Sequence, residues 1–133
     1  MWLSAVSDPM VAGYEWVLTD RVCNGEVYPR HKVGQGEQSY ECGVNIIVDL
    51  IVHGTLLADN YDYHNVVNCD RSPEFTAYGR GSCSQELPQD DCLDCMQAAH
   101  DQLFSECTHS VGSKVQLNHC GMRYEKYDFP SVS

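Results

Sequence analysis

Positive charge is scarce in this chain of 133 residues: eight Lys and Arg stand against nineteen Asp and Glu, a formal net charge of −11. Such a field repels polyanions and slows their encounter, which argues against nucleic acid as a partner. No Lys or Arg cluster lies along an amphipathic stretch, so a cationic peptide that disrupts anionic bilayers is also disfavoured. Uninterrupted apolar runs are missing as well. The longest, Val44 to Ala58, is broken by Asn45, Asp49, His53 and Gly54, and no membrane insertion is expected. The segment Met1 to Val6 has neither a basic n-region nor a long apolar h-region, so it does not read as a secretory signal, and the chain is read as a form from which that signal is absent.

Catalytic motifs are missing too. There is no Gly-x-Ser-x-Gly elbow, no His-Glu-x-x-His and no glycine-rich phosphate loop. The many Asp and Glu read as a solvated acidic surface, and the expectation is a protein that is not an enzyme and holds no cofactor or metal. No asparagine starts an Asn-x-Ser/Thr sequon. Nor is there an internal repeat, a low-complexity tract or an interdomain linker. A single domain over 1–133 is therefore expected, with a core of about 19–129 and an N-terminal extension over 1–13.

Cysteine is abundant: eight residues, high for a reduced cytosolic protein, point to an oxidising compartment outside the cell. Around them the elements can be read from residue pattern. Tyr14 to Cys23 is rich in β-branched and aromatic residues and predicts a strand ahead of the Asn24-Gly25 turn. A polar loop over roughly 28–38 follows. From Ser39 to about Leu57 the polar residues Asn45, Asp49 and His53 recur every fourth position among Val, Ile and Leu, which predicts a helix with one narrow wet stripe. A buried strand pair is the alternative that the Ile and Val content leaves open.

After Pro88 a second helix is predicted, with Asp90 and Asp91 at its positive end and an apolar stripe of Cys92, Cys95, Met96, Ala99, Leu103 and Cys107. Phe75 to Cys83 and Lys114 to Glu125 carry strand patterns. The order strand, helix, strand, helix, strands indicates an α+β fold with two helices on one antiparallel sheet.

Three chemistries compete for Cys83-x8-Cys92-x2-Cys95. A redox dithiol needs its leading thiol held as thiolate by positive charge. Asp90, Asp91 and Asp94 crowd this pair instead, and no Lys or Arg lies between Arg80 and Lys114. Zinc could use Cys92, Cys95, Cys120 and one of His100, His109 or His119, but a second paired knuckle is missing. Structural disulfides demand only oxidation and proximity, and are favoured; spacing alone does not choose among the pairings.

The spacing Cys83-x8-Cys92-x2-Cys95, then Cys107, then Cys120 within Val115-Gln116-Leu117-Asn118-His119-Cys120-Gly121-Met122-Arg123-Tyr124-Glu125, resembles the plant ginkbilobin-type, or stress-antifungal, domain. Tyr61-Asp62-Tyr63 and Thr76-Ala77-Tyr78-Gly79-Arg80 extend the likeness, which runs from about Thr19 to Phe129. The resemblance implies two helices with a five-stranded antiparallel sheet, and bridges Cys23 to Cys107, Cys83 to Cys92 and Cys95 to Cys120. Cys42 and Cys69 depart from the six-cysteine pattern, and a fourth bridge between them is expected; free thiols or an intermolecular bond are the alternatives.

For function, the resemblance implies a secreted, apoplastic defence-type lectin that binds mannose or mannan-type glycans, with antifungal action. Its sugar ligands carry over to Asn24, directly after Cys23, and to Glu125, five residues after Cys120. At the third position Lys114 stands where antifungal members carry Arg, replacing a planar fork with a mobile point charge. An Asn amide donates and accepts, and a carboxylate accepts from two neighbouring hydroxyls, so both suit a polyol; Asn24 also suits a turn before Gly25. Lys114 and Glu125 are an odd number of residues apart and would face opposite ways on one unbroken strand. They converge only if the chain bends near Asn118 to Gly121, where Gly121 is the residue suited to unusual dihedrals. Trp16, Tyr61, Tyr63, Tyr78 and Tyr124 are sugar-stacking candidates by type alone, with Tyr78 read as strand packing. The rival reading is an extracellular protein-interaction module on the same scaffold with a degenerate sugar site.

Overall fold

A computed structural model describes residues 14–24, 40–69, 75–107 and 110–130. Its elements are β1 (Leu18–Cys23), α1 (Tyr40–Gly54), β2 (Asp62–Asn68), β3 (Thr76–Cys83), α2 (Gln89–Glu106), β4 (Ser113–Leu117) and β5 (Cys120–Glu125). The strands form one sheet in the order β1-β4-β5-β3-β2, antiparallel throughout. The expected polar loop over 28–38 and the extension over 1–13 lie outside the described residues.

Alternation along β3 sets the two faces of the sheet. Ala77, Gly79, Gly81 and Cys83 are buried, while Thr76, Tyr78, Arg80 and Ser82 are only partly so. The absence of side chains at two buried positions lets α1 come close. A Cβ at Gly79 would meet Ile47 and Ile51, and one at Gly81 would meet Ile51, Thr55 and Met96. Val44, Ile47, Val48 and Ile51 of α1 are accordingly buried, and Asn45, Asp49 and His53 face water as their spacing predicts. Ile46 widens the wet face by remaining 43% exposed. The helical pattern expected to reach Leu57 ends as α-helix at Gly54 and tightens into a 3-10 turn over Thr55–Leu57, where the Thr55 hydroxyl donates to Ile51 O at 2.7 Å. Tyr40–Leu57 is long and apolar enough by composition to cross a membrane, with mean hydropathy 1.3. Here its apolar face is part of the core.

In α2 the predicted stripe is buried at Cys92, Cys95, Met96, Ala99 and Leu103. Pro88 stands at the N-cap without a side-chain cap, so Asp90 and Asp91 act on the helix start by charge alone. Strand β2 has no counterpart among the elements read from residue pattern. Its sequence Asp-Tyr-His-Asn-Val-Val-Asn is exposed or half-exposed throughout, so no apolar alternation marks it.

All eight cysteines are paired: Cys23–Cys107, Cys42–Cys69, Cys83–Cys92 and Cys95–Cys120. This consumes the thiols that the dithiol and zinc readings require; His109, one of the zinc candidates, lies outside the described residues. The fourth bridge ties the first turn of α1 to the residue after β2, and closes a loop worth up to about 3.6 kcal/mol on the loop-entropy model.

Three measurements check this account. Thiol titration of the unfolded, unreduced protein should find no reactive sulfhydryl, and Cys42→Ala with Cys69→Ala should lower the denaturation midpoint without abolishing the fold. Gly79→Ala should destabilise by about 1–3 kcal/mol in urea unfolding, because the added methyl forces Ile47 and Ile51 off their seats.

Candidate functional site

The bend demanded by the odd spacing exists. Strands β4 and β5 form a hairpin about Asn118 and His119, with Gln116 paired to Gly121 and Lys114 paired to Arg123. The Gln116 amide donates to Leu117 O and Cys120 O, each at 3.0 Å, and Asn118 fixes the turn to the segment before β1 by accepting from Val17 N at 3.0 Å and donating to Glu15 O at 2.7 Å. Gly121 serves this turn differently from the expectation. Its φ is not in the left-handed region; a Cβ there would collide with the Gln116 amide, so glycine is needed for room.

Cross-strand partners share a face, as do residues two apart on one strand. Lys114, Arg123 and Glu125 therefore stand together on the sheet face away from the helices. Asn24 joins them from the end of β1, where its N–H donates to Gly112 O at 2.8 Å. The three residues singled out in the sequence line one cavity of about 270 Å³, together with Val22, Gly112, Arg123 and Tyr127.

Charge in the cavity is arranged in pairs. Lys114 Nζ lies 2.7 Å from Asp20 Oδ2, and this hydrogen bond and the ammonium charge hold the Asp20 carboxyl below the usual carboxylate range. Glu125 is nearly buried, at 7% exposure, and its Oε2 accepts from Arg123 Nε at 2.9 Å. Gly112 leaves the room for this carboxylate, since a Cβ there would occupy the place of Glu125 Oε1. The Arg123 guanidinium also donates to the Tyr127 hydroxyl at 3.4 Å and lies 4.4 Å from the centre of the Phe129 ring. The arrangement offers alternating donors and acceptors at the mouth of a shallow pocket, a pattern suited to hydroxyl groups.

Sequence reasoning missed Asp20, Gly112, Arg123 and Tyr127. Arg123 had a usable signal: a two-residue turn at 118–119 puts it opposite Lys114 and two residues before Glu125. The aromatic candidates lie elsewhere. Trp16 stacks on Tyr14 beside His119, Tyr61 donates to Leu87 O, the Tyr63 ring packs against Gly54, and Tyr124 is buried with its hydroxyl on Ser110 O. Tyr78 is on the open face, in a second cavity.

Compared with known proteins, residues 22–127 match the family model described as salt stress response/antifungal. The chain belongs to that family. It is similar to antifungal protein ginkbilobin-like protein 1 of Picea sitchensis, 42% identical over 52 residues that cover 39% of each chain. Ginkbilobin-2 of Ginkgo biloba is 41% identical over 54 residues, 41% of this chain and 40% of that protein. A longer match, to ginkbilobin-like protein 2 of Picea glauca, is 29% identical over 110 residues, covering 83% of this chain and 77% of the relative. Among solved structures, the tandem DUF26 ectodomain of the Arabidopsis thaliana cysteine-rich receptor-like protein PDLP8 superposes with a TM-score of 0.72 at 25% identity, over 85% of this chain and 50% of that one. The chain thus spans about two-fifths of the Picea sitchensis and Ginkgo biloba relatives and half of the ectodomain.

The Asp20–Lys114 pair gives a pH signature. Because the folded-state pKa of Asp20 is depressed, its contribution to stability is present above the unfolded value of about 3.9 and is lost as pH falls through the lower folded value. Urea midpoints of the parent protein and Asp20→Asn should therefore differ at about pH 6, with the parent more stable, and converge towards about pH 2. Equal midpoints at both would show that the pair is not maintained in solution.

Proposed function

We propose that the cavity between β1 and the β4–β5 hairpin binds mannose or mannose-bearing glycans, and that the protein is a secreted, non-enzymatic defence-type lectin of the plant apoplast, with antifungal action. The observation that carries this reading is the meeting at one pocket of Asn24, just after β1, with Lys114 of β4 and Glu125 of β5. Glu125 accepts from neighbouring sugar hydroxyls, the Asn24 amide both donates and accepts, and Lys114 donates. Arg123 supplies a guanidinium in the same pocket, which offsets the loss of a planar fork at position 114. The names of the antifungal relatives support the defence role, and the disulfide-rich fold supports an extracellular setting.

Titration calorimetry of the oxidised protein with mannose and a mannan oligosaccharide tests the reading, alongside Asn24→Ala and Glu125→Gln with the fold checked by circular dichroism. Saturable binding should appear in the parent and be lost in both variants. The Gln replacement is preferred to Ala because it retains a hydrogen-bond acceptor for Arg123. An intact fold that gives no saturation at millimolar sugar would refute the lectin reading and turn the search to a protein partner.

A further inference from the structure

The open sheet face carries more than the pocket already described. Across five strands the register sets Val22 beside Lys114, Lys114 beside Arg123, Arg123 beside Arg80, and Arg80 beside His64. The chain after β5 runs over the middle of this row. Arg80 Nε donates to Phe129 O at 2.7 Å, and the Phe129 ring, 5% exposed, lies 4.4 Å from the Arg123 guanidinium and 5.9 Å from that of Arg80. On the far side of this ridge is a second cavity of about 310 Å³, lined by His64, Val66, Tyr78, Arg80, Asp128 and Phe129.

This second cavity has unused hydrogen-bonding capacity. Among the described residues the His64 ring and the Tyr78 hydroxyl have no hydrogen-bond partner, and Arg80 keeps both terminal nitrogens available once Nε is on Phe129 O. Its centre is about two strand spacings, roughly 10 Å, from that of the first cavity. A monosaccharide cannot reach both. Tyr127, on the wall of the first cavity, stands 55% exposed and offers an aromatic surface to a sugar that extends out of it.

We propose that His64, Tyr78 and Arg80 form a second carbohydrate subsite, so that the ligand of the open face is a neutral oligosaccharide of roughly three or more hexose units laid across the strands. This inference rests on the mannose reading of the first cavity. Charge argues for a neutral ligand over a uronate or a sulfated sugar: Lys114 and Arg123 are each already matched by a carboxylate, Asp20 and Glu125, so the first cavity has no uncompensated cation for an anion to meet. The paired cations and carboxylates of the first cavity, and Arg80 with the Asp128 carboxylate on the wall of the second, offer donors and acceptors to hydroxyls on both sides of the ridge.

The test is calorimetric titration of the full chain with mannose and with mannotetraose, in the parent, in the double variant His64→Ala, Tyr78→Phe, and in Glu125→Gln. Neither change in the double variant touches the core, because His64 is exposed on an edge strand and Phe retains the ring at 78. The parent should bind the tetraose at least about ten-fold tighter than mannose through the second contact. The double variant should bind mannose as the parent does and lose that gain. Equal affinity of the parent for both sugars, or a gain that survives in the double variant, overturns the second subsite while leaving the first. Tetraose binding that Glu125→Gln leaves intact and the double variant abolishes would instead refute the first-cavity reading and retain the second. Saturation by neither sugar, with the fold intact, refutes both.

Discussion

Two disulfides form a clamp on which the remaining geometry depends. Cys92 and Cys95 lie one turn apart on α2, and their partners Cys83 and Cys120 are directly opposite each other on β3 and β5. One helical turn is thereby bonded to one cross-strand pair, which fixes both the height of the helix above the sheet and its direction across it. At the other end of α2, Cys107 is bonded to Cys23 at the end of β1. The helix is held at both ends, and each of those bonds sits within a few residues of the candidate pocket: Asn24 follows Cys23, and Glu125 lies five positions beyond Cys120. The scaffold chemistry and the residues of the candidate pocket are separated by the thickness of the sheet, cysteines on the helix side and polar groups on the other.

A chain of net charge −11 places two of its eight cations side by side at Arg80 and Arg123, and a third, Lys114, beyond them. Like charges on adjacent strands oppose pairing. The cost is offset locally by Glu125 against Arg123, by Asp20 against Lys114, and by the Phe129 ring against both guanidinium groups. Lys114 and Arg123 are thus neutralised by nearest neighbours, and the face is rich in hydrogen-bonding groups, in contrast to the acidic remainder of the molecule.

The helices were legible because burial on one side imposes a period that survives in the residues: Asn45, Asp49 and His53 on α1, and the Cys92 to Leu103 stripe on α2. Strand β2 was not, since an edge strand with polar residues on both faces carries no such period; its place in the sheet is set by pairing with β3. The pocket was legible through two routes of different kinds. Family resemblance pointed to Asn24, Lys114 and Glu125, while the odd spacing of the last two required a bend that Asn118 and His119 provide. Arg123, Tyr127 and Gly112 escaped notice because their roles arise only from register and close approach, and neither leaves a mark on composition. Gly121 shows the same limit: its position was foreseen, but its function is to admit the Gln116 amide.

The bridges are also nested and overlapping along the chain. The loop closed by Cys23 and Cys107 contains those of Cys42–Cys69 and Cys83–Cys92, and the loop from Cys95 to Cys120 overlaps its end. Any single peptide bond between Cys23 and Cys120 therefore lies inside at least one covalent ring. An attacking protease that cuts once anywhere in that span leaves two fragments still joined, with the pairing partners of every strand close at hand. Digestion then requires several cuts or prior reduction, so molecules nicked once remain whole and any change in them reports on local damage instead of dissociation.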